Sequence, residues 1–191
     1  MENMKVRELM RPIDEFPAIT SNATFLEAVD ALEDAQKKFD AGKVPEVILL
    51  VKNQKEQIVG KLSPMDVVMG LEPNSSQLEK LETFSHYGLV RSALKNIKKQ
   101  FQLWQKPLAE LWNKAQDIKI DNFIKLPEPD HMVKADDKMD TAFHLFVFLR
   151  QGSLFVKEQE KIVGLIRFSD VYKKIIQTIK TCSMPSPGQD K

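Results

Sequence analysis

The sequence predicts an α+β protein made of one β-α-β-β-α unit written twice, and three observations carry that prediction. Ile58-Val59-Gly60 followed by Asp66-Val67-Val68 is matched by Ile162-Val163-Gly164 followed by Asp170-Val171-Tyr172, with six steps from Gly to Asp in each. Just upstream, Val47 to Val51 and Ser153 to Val156 are apolar runs ending in a short polar turn, so each copy reads as a β-hairpin feeding a helix. Further upstream, Phe25, Ala28, Val29 and Leu32, and then Met139, Ala142, Phe143 and Phe146, recur at i, i+3, i+4 and i+7. That spacing lays one apolar helical face on a core.

The elements follow in order. Pro17-Ala18-Ile19-Thr20 is a short extended piece, and Asn22 is the expected cap of the first helix. That helix is expected to be longer than its counterpart, because the first copy carries extra residues around Asp34 to Lys43. Gly42-Lys43 lacks the flanking residues of a phosphate loop and reads as the helix end. Hairpin and second helix then follow. In the second copy His131-Met132-Val133-Lys134 is the extended piece and Asp136 the expected cap.

Between the copies the pattern changes. Tyr87, Val90, Leu94, Ile97, Phe101, Trp104, Leu108, Leu111, Ala115 and Ile118 stand alternately three and four apart, which is a heptad seam. Pro107 kinks that helix or opens a second one. The expected divisions are therefore a first domain with its lead segment at 1–73, an inserted helical arm at 74–123, a second domain at 124–180 and a tail at 181–191.

Composition narrows the function classes. With 191 residues, 42% of them hydrophobic, the chain can bury a real core. Lys plus Arg number 28 and Asp plus Glu 27, so a net charge of +1 supplies no bulk attraction to nucleic acid or an anionic membrane. Arg91, Lys95, Lys98, Lys99 and Lys106 read as the wet face of an amphipathic helix. The lone Cys182 forms no intrachain disulfide and suits a reducing compartment. No apolar stretch approaches a membrane span, and the opening residues lack a secretion signal, so a cytoplasmic protein is expected. His86, His131 and His144 lack ligand-spaced partners, so no metal is assigned. No nucleophile with a base can be defended, so no enzyme is expected.

Gly60-Lys61-Leu62-Ser63-Pro64-Met65-Asp66 and Gly164-Leu165-Ile166-Arg167-Phe168-Ser169-Asp170 resemble the Gly-x-x-Ser/Thr-x-x-Asp element of cystathionine β-synthase (CBS) domains. Val6-Arg7-Glu8-Leu9-Met10-Arg11-Pro12 looks like the lead segment before a first such domain. A tandem pair is called a Bateman module. The resemblance implies two units packed with pseudo-two-fold symmetry, a homodimer, and adenosine-nucleotide binding in clefts between paired domains. It also implies that adenine lies on the extended piece before the first helix, here Ala18-Ile19 and Met132-Val133.

The chemistry of the corner agrees. A carboxylate at a helix start after a strand can accept bonds from both hydroxyls of a ribose, each worth about 1.5–3 kcal/mol to a charged acceptor. Asp66 and Asp170 hold that position. Ser63 can meet a ribose or phosphate oxygen, or simply cap the helix before Pro64. The sequence departs from the family twice: Lys61 stands where an aliphatic residue is usual, and Arg167 replaces Ser/Thr. Strand alternation puts Lys61 on the face of Ser63, and Leu165 on that of Arg167. Two readings of the cations stay open. They engage phosphate, favouring AMP, ADP or ATP over S-adenosylmethionine, or Arg167 fills or salt-bridges the second cleft. The expected function is a stand-alone sensor of adenine nucleotide that signals energy state to a regulated partner. The alternative is a ligand-free CBS scaffold that docks a partner through its helical arm.

Overall fold

A computed structural model of the chain describes residues 3–71, 115, 118–122, 124 and 128–182. Its strands are β1 (Arg11–Pro12), β2 (Ala18–Thr20), β3 (Leu49–Lys52), β4 (Ile58–Leu62), β5 (Met132–Lys134), β6 (Ser153–Glu158) and β7 (Lys161–Arg167). The helices among these residues are α1 (Phe25–Asp40), α2 (Pro64–Leu71), α3 (Met139–Leu149) and α4 (Phe168–Cys182). Each expected β-α-β-β-α run is present, and α1 is the longer first helix that the extra residues require. The expected arm falls mostly outside the described residues. Of its seam, Ala115 is helical and buried and Ile118 packs beside it, both in the core around α1.

The chain divides into two compact units, Phe16–Leu126 and Met1–Glu15 with Pro127–Lys191, called here the inner and outer units. The lead segment thus packs with the second copy, where sequence order groups it with the first. The reason is visible in the pairing: β1 runs antiparallel to β7, with Arg11 opposite Leu165 and Pro12 opposite Gly164. A Cβ on Gly164 would meet the Arg11 carbonyl oxygen well inside van der Waals contact, so only glycine lets this strand come so close. The lead also donates the Val6 amide to the Asp137 carbonyl at 2.9 Å, and the residues before the second copy do the same in the inner unit, Ile120 to Ala23 at 3.1 Å.

The inner sheet has the order β2-β3-β4 and the outer sheet β1-β7-β6-β5. In each copy the first strand is parallel to the second across a helix, and the second and third form an antiparallel hairpin. Even the register irregularity recurs, after Val51 in one hairpin and after Val156 in the other. Alternate residues of each strand face its helices. Phe25, Ala28, Leu32 and Ala35 of α1 bury against Leu49, Val51 and Leu62. Met139, Ala142 and Phe146 of α3 bury against Leu154, Val156 and Ile166. At about 1.5–3 kcal/mol per fully buried large side chain, these two clusters are the main source of stability.

The caps differ from expectation. Thr24, not Asn22, caps α1, in a reciprocal box: its amide donates to Glu27 Oε2 at 2.7 Å and its hydroxyl accepts the Glu27 amide at 3.3 Å. These bonds from Thr24 hold the Glu27 carboxyl below its ordinary range. Lys138 stands at the α3 cap without a side-chain bond, and Asp136 instead pairs with Lys5 at 3.1 Å and with Arg7 Nη2 at 2.9 Å.

Candidate functional site

In the inner unit β4 runs out at Leu62, and Ser63 turns the chain into α2 with Pro64 at the first helical position. A fixed φ near −65° and a missing amide hydrogen suit proline there. The spacing of Ser63 and Asp66 then closes a second reciprocal box. Asp66 Oδ2 accepts the Ser63 amide at 2.7 Å and the Ser63 hydroxyl at 2.6 Å, while Ser63 Oγ accepts the Asp66 amide at 3.4 Å. Both donors converge on Oδ2. Among the described residues none is bonded to Oδ1, and the side chain is only half-buried. The capping role of Ser63 fixes the carboxylate without exhausting it.

Lys61 lies two residues earlier on β4. It stands opposite Leu50, which stands opposite Ala18, so Ala18, Leu50 and Lys61 form one row across the inner sheet. That row faces away from α1, because Leu49 and Val51 take the helix side. Burial pushes the Lys61 amine down to about 8, against the opposing charges of Glu46 and Asp66, which favour its protonated form. An ammonium, two carboxylates and an extended strand thus lie around one corner. Ile19, next to Ala18, alternates to the other face and packs on the helix-side core. Sequence reasoning missed Glu46, since a single acidic residue in an irregular stretch carries no periodic signal.

The outer unit repeats the frame with different contents. Met132, Phe155, Leu165 and Arg11 form the corresponding row, so a fully buried leucine takes the place of Lys61 and the fourth strand adds an arginine. Val133 is buried in the helix-side core. At the corner Arg167 takes the second of its two readings: its Nε donates to Asp170 Oδ2 at 2.8 Å and its Nη2 to Asp170 Oδ1 at 2.7 Å. The residues are 7% and 6% exposed, so this is a buried bidentate pair. Arg11 Nε lies 3.4 Å from the same Oδ2, and Arg11 Nη1 lies 3.5 Å from Glu15. Both oxygens of Asp170 are occupied. Arg11 was also missed, because a two-residue strand carries no periodic signal.

The described residues hold no group of three or more His, Cys, Asp or Glu side chains that could bind a metal ion, and no helix among them is long and apolar enough to cross a membrane. No protein-family model matches the chain, and no curated protein matches it in sequence. Solved structures do match. The CBS-pair protein CBSX2 from Arabidopsis thaliana aligns over 93% of this chain and 98% of its own, at TM-score 0.57 and 15% identity. A CBS domain-containing protein of unknown function from Bacillus anthracis aligns over 92% of this chain and 95% of its own, at TM-score 0.57 and 11% identity. CBSX2 in complex with AMP aligns over 92% of this chain and 98% of its own, at TM-score 0.51 and 16% identity. The chain has the fold of tandem CBS domain pairs.

Proposed function

We propose that this chain is a non-catalytic regulatory module that takes an adenine nucleotide at the Asp66 corner and reports its level to a partner protein. The observation that carries the reading is the split duty of Asp66: Oδ2 is fixed by Ser63, and Oδ1 accepts no bond among the described residues. A preset carboxylate oxygen at a helix start can take the hydroxyls of a ribose with little reorganisation. Lys61, in line with Ala18 and two residues before Ser63, supplies a cation for a phosphate. That favours AMP, ADP or ATP over the positively charged S-adenosylmethionine. The solved complex of CBSX2 with AMP, which shares this fold, supports the ligand class. Signalling would follow from differential affinity for two conformations of the chain.

Thermal unfolding with AMP, ADP, ATP and S-adenosylmethionine tests this. A ligand at 100 times its dissociation constant adds about 2.7 kcal/mol, which is several degrees for a protein of this size. If none of the four moves the transition, the nucleotide reading fails. Turnover of a bound nucleotide would instead mark an enzyme. The second reading, a ligand-free scaffold that docks a partner through the helical arm, draws support from the outer unit, where Arg167 has already taken the equivalent carboxylate.

A further inference from the structure

We propose that Arg167 is a resident occupant of the outer corner and that it, not the surrounding fold, keeps Asp170 from taking a sugar diol. This rests on the nucleotide reading of the inner corner and extends it to stoichiometry: one nucleotide per chain, with a second site present but shut. The two corners share their frame. In each, a strand glycine precedes the aspartate by six residues, the aspartate lies in the first turn of the following helix, and the row beside it has the same register across three strands.

What differs is the residue three positions before the aspartate. Ser63 donates only to Oδ2 of Asp66, whereas the Arg167 guanidinium spans both oxygens of Asp170. A cis-diol offers two hydroxyl donors side by side, and a guanidinium offers two N–H donors side by side. Both ask for the same pair of acceptor lone pairs, so they exclude each other. The arginine has the advantage of being attached, and both partners are more than nine-tenths buried. Arg11, at 3.4 Å from Oδ2 and with a side chain 43% exposed, is a weaker and more accessible neighbour, balanced by Glu15. Removing Arg167 would therefore leave Asp170 with one peripheral cation and a bare oxygen, the condition of Asp66.

Arg167→Ser tests the inference, because it rebuilds at 167–170 the Ser-x-x-Asp box seen at 63–66. Native mass spectrometry and calorimetry with AMP would count nucleotides per chain in the wild type, Arg167→Ser and Asp66→Asn. The expected counts are one, two and none. A folded Arg167→Ser that takes no more AMP than the wild type overturns the inference, as does a wild type that takes two. Should Arg167→Ser fail to fold, Asp66→Asn decides: loss of all bound AMP supports a shut outer corner, and one AMP retained overturns it. A wild type that takes no AMP at all marks failure of the inner-corner reading instead, and a gain in Arg167→Ser would still be seen against that background.

Discussion

Asp66 and Asp170 stand at the same step of the same repeat, yet one carboxylate is half-exposed with an oxygen to spare and the other is buried in a guanidinium fork. The three strands of each copy do not account for this, since their pairing, hairpin register and bulge are shared, although the outer sheet adds β1 beside β7. The difference lies in the side chains, Lys61 and Ser63 in one copy against Leu165, Arg167 and the Arg11 of β1 in the other. A duplicated fold can thus leave one carboxylate partly open and brace the other by changing which groups meet the aspartate. In the inner unit the cation stays beside the carboxylate on the strand. In the outer unit it stands at the last residue of β7 and binds the carboxylate directly.

Stability should separate the corners most sharply. Asp170→Ala takes the carboxylate away from the buried Arg167 guanidinium and is expected to cost about 3–5 kcal/mol, whereas Asp66→Ala loses a cap and costs about 0.5–2 kcal/mol. Urea denaturation of the two variants gives the comparison directly, and equal costs would erase it. Lys61→Leu, which copies Leu165, should stabilise the protein at pH 7 by about 1–3 kcal/mol, at about 1.36 kcal/mol per pKa unit. The sign follows from the amine falling from 10.5 to about 8 on folding: the folded chain then binds fewer protons between those values, so its stability rises with pH across that window. The advantage of the variant should be full below about pH 8 and gone by about pH 10.5. Loss of the cation beside Glu46 pulls the gain toward the lower figure.

Binding sharpens the same contrast at a smaller scale. Asp66→Ala is expected to weaken AMP at least tenfold, about 1.4 kcal/mol, in a calorimetric titration, and unchanged affinity would move the site away from this corner. The preference for AMP over adenosine should shrink as pH rises through about 8, where Lys61 loses its charge, and should vanish in Lys61→Leu. Smallest of all, Ser63→Ala should cost about 1 kcal/mol in stability, because Pro64 still sets the helix start.

Much of this was legible in the sequence. Apolar runs ending in a short polar turn located the hairpins, a 3.6-residue apolar period located α1 and α3, and the Gly-to-Asp spacing located both corners and the helices that follow them. Helix caps were less legible: Asn22 and Thr24 are both good capping residues, and only the reach of Glu27 back to Thr24 decides between them. The fate of Arg167 could not be chosen by alternation, which sets a side chain's face but not whether its end turns toward ligand or toward Asp170. The partner of the lead segment was hidden for a different reason. A two-residue strand has no periodicity, and its pairing with β7 depends on a close approach at Gly164 that no local pattern announces.

That late pairing has a consequence for how the chain is assembled and cut. The Arg11 and Asp170 side chains that meet are 159 positions apart, and Lys5 meets Asp136 across 131. The carboxy-terminal half therefore cannot complete its sheet from its own residues, and the first fifteen residues find their place only once β7 has been made. A fragment starting at residue 127 would carry an unzipped edge along β7, prone to pairing with other copies. Removing the opening dozen residues, far from the carboxy terminus in sequence, would be felt first at the foot of α4.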